Sequence, residues 1–137
     1  MEKVFHFDSP QEVYQADACV ITCYDARFDV ATRKFLKRSG IEKYDHIKVP
    51  GSAKTLAAPE CESDRDFVLR AIRTSMRLHR TSRALLIGHN ECGAYGGAPA
   101  DVIAADTVTA ADYLLSQEPS LKVECYFSDF DGIYRIR

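Results

Sequence analysis

The chain has 137 residues, of which 46% are hydrophobic and 28% charged, with a formal net charge of −2 at pH 7. That length predicts a single domain over residues 1–137, able to bury roughly two-thirds of its unfolded surface without help from disulfides. Charges of both signs are interspersed, with no basic stripe or polybasic run, so neither nucleic acid nor a lipid surface is an expected partner.

The start, Met1 to Pro10, is mixed and polar rather than a charged stretch followed by an apolar run, so no signal peptide is expected. No segment has the length needed to cross a bilayer. Five cysteines, Cys19, Cys23, Cys61, Cys92 and Cys125, form an odd set. Without an export signal, metal ligation or free thiols are expected rather than a disulfide framework, and the expected compartment is the cytoplasm.

In chain order, Ala18 to Cys23 is a short apolar, β-branched run that predicts a buried strand. Asp29 to Ser39 predicts a helix with Val30, Phe35 and Leu36 as apolar contacts, stopped by Gly40. Its basic cluster, Arg33, Lys34, Lys37 and Arg38, reads as a solvated face. His46 to Val49 is a second short strand, ended by Pro50-Gly51. Ser63 to His79 predicts a longer helix capped by Ser63 or Asp64, with Phe67, Val68, Ala71, Ile72 and Met76 as its stripe.

Ala84 to Gly88 is a third strand, apolar on both faces. Asp101 to Ser116 predicts a helix capped by Asp101 and ended before Pro119. From Leu121 to Phe127, apolar residues alternate with Lys122, Glu124 and Tyr126, which predicts a strand near the sheet edge with one buried face. Asp131-Gly132 offers a tight turn, after which Ile133 to Arg137 can return as an antiparallel strand. The fold class is therefore α/β: a three-layer sandwich around a mainly parallel sheet of about four strands, with an antiparallel C-terminal edge strand.

Ligands in such folds bind beyond the carboxyl ends of the strands, where chain order reverses. Two motifs fall there. In Cys23-Tyr24-Asp25-Ala26-Arg27, alternate residues of an extended backbone share a face, with Cys23 and Asp25 roughly 7 Å apart along it. In Gly88-His89-Asn90-Glu91-Cys92-Gly93, a turn brings His89 and Cys92 together. Two thiolates and an imidazole suit Zn2+, and three protein ligands leave a fourth position for water or substrate. Either motif alone is a weak signal, since isolated cysteines are often small core residues. Together, at the ends of two expected central strands, they favour a metal.

The pair Cys-x-Asp-x-Arg and Gly-His-x-x-Cys-Gly resembles the β-class carbonic anhydrases. The resemblance runs from about Ala18 to the final strand. It implies zinc on Cys23, His89 and Cys92, and an acid–arginine dyad at Asp25 and Arg27. It also implies a homodimer that hydrates carbon dioxide reversibly to bicarbonate and a proton. The chain departs from the family pattern in three places, as in a small, divergent or minimal member. Few residues precede the first strand, Val49-Pro50-Gly51-Ser52-Ala53 stands where an Arg-Asn-Ala-like stretch is usual, and the glycine-rich segment Gly93 to Gly97 is longer. Relatives on this scaffold that hydrolyse carbonyl sulfide or carbon disulfide make that activity the alternative; a non-catalytic zinc-binding or bicarbonate-sensing module is the other.

A zinc ion lowers the pKa of a bound water toward neutrality, which makes hydroxide available. Asp25 can orient that hydroxide while Arg27 keeps it ionised, or Asp25 can itself be the fourth ligand and close the site. Both readings stand at this point. Gly93 to Gly97 lacks the Gly-Lys-Ser/Thr ending of a P-loop and reads as a tight turn. Cys19, Cys61, Cys125, His6, His46 and His79 have no companions at ligand spacing, and Tyr95 reads as an ordinary loop tyrosine at the rim.

Overall fold

A computed structural model describes residues 1–137. Five strands form: β1 (Ala18–Thr22), β2 (Tyr44–Lys48), β3 (Arg83–His89), β4 (Lys122–Ser128) and β5 (Ile133–Arg135). Four helices connect them: α1 (Asp29–Arg38), α2 (Lys54–Ala57), α3 (Glu62–His79) and α4 (Ala100–Gln117). The strands make one sheet in the order β2-β1-β3-β4-β5. The first four run parallel and β5 runs antiparallel to β4, as the turn at Asp131-Gly132 anticipates.

All five residues of β1 are buried because both of its faces are covered. On one side Cys19 and Ile21 pack with Leu56 of α2, Val68 and Ile72 of α3, and Ala110 and Leu114 of α4. On the other, Ala18 and Val20 pack with Leu36 of α1 and with Leu85 and Ile87 of β3. Three layers result, heavier on the α2–α3–α4 side. Each fully buried Leu or Ile in these clusters contributes on the order of 1.5–3 kcal/mol relative to exposure.

Helix ends explain where the chain turns. Gly40 sits at φ +71°, and the Ile41 N–H donates to the Leu36 carbonyl at 2.9 Å, closing α1 with a left-handed residue that glycine adopts without strain. Two expected caps differ. The α3 N-cap is Cys61, without a side-chain bond, and α4 begins at Ala100 after Pro99, with Asp101 inside the first turn accepting from the Val102 N–H at 3.0 Å. Proline before a helix is favourable because it has no amide hydrogen to leave unpaired. The short α2 has no counterpart in the expected elements. Its entry is anchored by buried Ser52, whose hydroxyl donates to the Ile21 carbonyl at 3.1 Å.

The expected solvent face of β4 survives only at Lys122. Glu124 and Tyr126 are buried, because β5 extends the sheet past β4 and Arg83 meets Glu124 at 2.8 Å. At the opposite end from the motif loops, Asp45 of β2 accepts from Tyr14 at 2.6 Å and pairs with His79 at 2.8 Å. That clip holds the segment preceding β1 and gives His79 a structural task. No helix is long and apolar enough to cross a membrane.

Candidate metal centre

β1 and β3 are parallel neighbours, with Thr22 opposite Ile87, so the chain leaves both strands at the same end of the sheet. Because β2 lies on one side of β1 and β3 on the other, chain order reverses here, where this architecture opens a crevice. Cys23 is the first residue beyond β1 and His89 the last of β3. After Asn90, Glu91 takes φ +51° and turns the chain so that Cys92 faces back. Gly88 permits the close approach of α4. A Cβ there would lie 2.9 Å from Ile103 Cγ2 and 3.0 Å from Thr107 Oγ1.

The ligand atoms of Cys23, His89 and Cys92 all lie within 4.8 Å of one another. The two sulfurs are 3.9 Å apart, close to the roughly 3.8 Å edge of a zinc tetrahedron with 2.3 Å Zn–S bonds. His89 Nδ1 is 2.8 Å from the Asn90 carbonyl oxygen. A carbonyl only accepts, so the ring proton sits on Nδ1 and the Nε2 lone pair is free. Nε2 is buried and has no hydrogen-bond partner. An orphaned buried imidazole nitrogen costs free energy unless something accepts its lone pair, and a cation does so. The residues present therefore fit a zinc ion. Burial raises the Cys92 pKa, and the neighbouring Cys23 thiol adds to this, while the backbone N–H groups of Ala94 and Gly51 act in the opposite direction. A cation between the sulfurs would favour both thiolates.

Asp25 does not belong to the three-donor group. Its carboxylate faces Arg27 instead, accepting from Nε at 3.1 Å and Nη2 at 2.7 Å, while Oδ1 also accepts from the Arg27 backbone N–H at 3.0 Å. Hydrogen bonding from the guanidinium outweighs partial burial and holds the Asp25 carboxyl at about 2. Asp25 and Arg27 thus form an acid–arginine pair. Three residues without a sequence signal complete it. Glu91 accepts from Arg27 through its carbonyl at 3.2 Å and its carboxylate at 3.3 Å. Phe28 and Phe130 place their rings 5.6 and 5.5 Å from the guanidinium carbon. Glu91 carries the left-handed turn, but its contact with Arg27 spans 64 residues and leaves no local pattern.

Outside the centre, a cleft of about 440 Å³ is lined by Cys23, Tyr24, Asp25, Pro50, Glu60 and Ala94, among others. Lys54 of α2 ties its far wall by donating to the Ala94 carbonyl at 2.6 Å. Its ammonium also lies 5.6 Å from the centre of the Tyr95 ring, whose hydroxyl is buried without a partner. Cys19 and Cys125 are core thiols, the former pushed by burial to about 12, and Cys61 is exposed. His46 bonds Thr22, and His6 lies exposed near Asp8.

A parallel α/β sandwich with a thiol–imidazole donor set at its switch point is the class that fold and site define. Residues 14–134 match the family model described as "Putative carbonic anhydrase". The chain belongs to this family. An uncharacterized protein of Rickettsia conorii is 25% identical over 131 residues, covering 87% of this chain and 70% of the relative. A second, from Rickettsia bellii, is 28% identical over 82 residues, and the chain spans 50% of its length. Among solved structures, a β-carbonic anhydrase of Trichomonas vaginalis superposes with a TM-score of 0.66 at 11% identity, over 96% of this chain and 87% of that one. The β-carbonic anhydrase CafA of Aspergillus fumigatus gives 0.63 at 13% identity, over 89% and 76%. At such identities the likeness is one of fold.

Proposed function

We propose that the chain is a zinc-dependent carbonic anhydrase that converts carbon dioxide and water reversibly to bicarbonate and a proton. The observation that carries this reading is the free, buried Nε2 of His89 facing two converging cysteine sulfurs beside the Asp25–Arg27 dyad. Family membership supports it.

Cys23 and Cys92 would hold the metal as thiolates and His89 through Nε2, with the Asn90 carbonyl fixing the imidazole tautomer. When bound, zinc supplies a Lewis acid that makes water nucleophilic near neutral pH. Arg27 keeps Asp25 ionised and aimed. The carboxylate can still accept a hydrogen bond from the attacking water and direct an oxygen lone pair at the substrate carbon. The cleft lined by Cys23, Asp25 and Pro50 supplies the approach for carbon dioxide. All five cysteines are free, which suits the cytoplasm; a homodimer is the assembly we propose with this function, on the family resemblance alone.

The test is stopped-flow hydration by the purified chain with zinc content measured on the same sample. Hydration at about one zinc per chain supports the reading. Turnover of carbonyl sulfide or carbon disulfide without hydration would reassign the substrate. Full zinc occupancy with turnover of none of these would make the chain a binding or bicarbonate-sensing module.

A further inference from the structure

Hydration releases one proton per turnover, and Asp25 can orient a water but not carry that proton away, because hydrogen bonds from Arg27 keep its carboxylate ionised. The structure holds another route on the α1 side of the sheet. A cavity of about 10 Å³ lies against Cys23, Asp25 and His89, with Thr22 and Ser128 also in its wall. Space of that order admits about one water. Ser128 Oγ is buried with no protein partner, so the cavity wall carries a hydroxyl in need of one. Thr22 is buried too, and its Oγ1 lies 2.8 Å from Nε2 of His46. His46 stands on β2, the edge strand, and is exposed.

We propose that Thr22 and His46 form the exit path for the proton, with His46 delivering it to buffer in solution. The inference rests on the hydration reading above. With His46 neutral and its lone pair on Nε2, the Thr22 hydroxyl donates to the ring and turns its oxygen toward the cavity. The transfer then balances. The cavity water gives one proton to the Thr22 oxygen, the electron pair of the broken O–H bond staying on the water oxygen, and that oxygen takes up the proton released by hydration, which restores the water. The original Thr22 O–H breaks as Nε2–H forms. The imidazolium turns outward, gives that Nε2 proton to a buffer base and turns back with its lone pair on Nε2, while the new Thr22 O–H rotates to face it. Neither residue is consumed.

The surroundings of His46 suit this task. From its own strand Lys48 and the Tyr44 ring face it, from α1 comes Asp29, paired with Lys48, and from β1 comes Thr22. Desolvation where the ring meets Thr22 and the charge of Lys48 lower its pKa while Asp29 opposes them, so the ring enters the relay neutral.

The experiment uses the zinc-loaded full chain, in wild-type form and as His46→Ala, His46→Gln and Thr22→Val. In dilute buffer, kcat for hydration should fall about tenfold or more in all three variants, with kcat/KM unchanged. Added imidazole should restore kcat. His46→Gln can keep a hydrogen bond to Thr22 but cannot carry a proton, so a Gln variant that behaves as wild type would overturn the path and leave His46 a structural role. A second readout needs no turnover: the His46 ring nitrogens, followed by NMR in wild type, should change tautomer balance and pH midpoint in Thr22→Val. Unchanged ring signals would overturn the coupling. A wild-type chain that holds zinc but hydrates no carbon dioxide would overturn the proposed function and the path with it. Normal hydration with a buffer-insensitive His46→Ala would overturn the path alone.

Discussion

The sulfurs of Cys23 and Cys92, 69 residues apart along the chain, lie 3.9 Å from each other. His89 Nε2 faces the same space without a protein partner, so three donors converge on one point. We expect about one zinc per chain. Cys23→Ser and Cys92→Ser should lose it, whereas Cys61→Ser, at an exposed and unconnected thiol, should keep it. Elemental analysis is the measurement, and chelation should lower Tm in wild type, because a ligand that binds only the native state stabilises it. Full zinc retention in the Cys92 variant would remove the basis of the site.

The dyad predicts a different signature. Arg27→Ala should leave zinc in place and reduce turnover by about 10–100-fold, the scale of lost support to a metal site. Combined with Asp25→Ala the effect should be less than additive, since the two side chains act through one hydrogen-bonded pair. Phe130→Ala removes one ring from beside the guanidinium and should cost less, about 0.5–1 kcal/mol of positioning. Steady-state kinetics with metal content checked on each variant will show whether Arg27 positions or merely packs.

Gly88→Ala tests the close approach of α4 to β3. The new methyl would meet Ile103 and Thr107 at 2.9 and 3.0 Å, and overpacking of this kind costs about 1–3 kcal/mol. Gly93→Ala, where a Cβ meets nothing within 4 Å, is the control. Urea midpoints should separate the two. Equal midpoints would mean that α4 can move away from the strand at little cost.

Acid stability should depend on Glu124. Burial works to raise its carboxyl, but hydrogen bonds from Arg83, Tyr126 and Lys122 outweigh it and hold the group at about 2, against 4.5 in an unfolded chain. A carboxyl depressed on folding contributes stability that is full above its unfolded pKa and is lost as pH falls toward the folded one. The window is therefore roughly pH 4.5 to 2, and the contribution is on the order of 3 kcal/mol. Urea unfolding at successive pH values should show this slope in wild type and lack it in Glu124→Gln. A Gln variant with the wild-type slope would place the acid sensitivity elsewhere.

Several features were legible for physical reasons. Strands buried on both faces need unbroken apolar runs, so Ala18 to Cys23 and Ala84 to Gly88 stand out in the sequence, within a residue of β1 and β3. Helix stops at Gly40 and near Pro119 follow from backbone geometry and missing amides. What misled was polarity. Glu124 and Tyr126 read as a solvent face, yet Arg83 on the neighbouring strand satisfies the acid and β5 continues the sheet beyond. Glu91 and Phe130 gave no signal as partners of Arg27, because both contacts are made between loops distant along the chain. His46 read as an unaccompanied histidine, and only the pairing of β1 with β2 sets its ring against Thr22.

By itself the sequence determined which chemical groups exist, their local spacing, and the alternation of strands and helices that delivers each motif to a strand end. Those properties are short-range, set by side-chain type, backbone preference and periodicity. The tertiary structure decided which strand lies beside which. With β1 and β3 adjacent and parallel, Cys23 and His89 leave the sheet at one end, and the turn at Glu91 closes the group with Cys92. It also decided that Asp25 faces Arg27 outside that three-donor group, because Glu91, Phe28 and Phe130 hold the guanidinium where the carboxylate can meet it. Contacts of that kind depend on the packing of segments dozens of residues apart, and local patterning does not encode them.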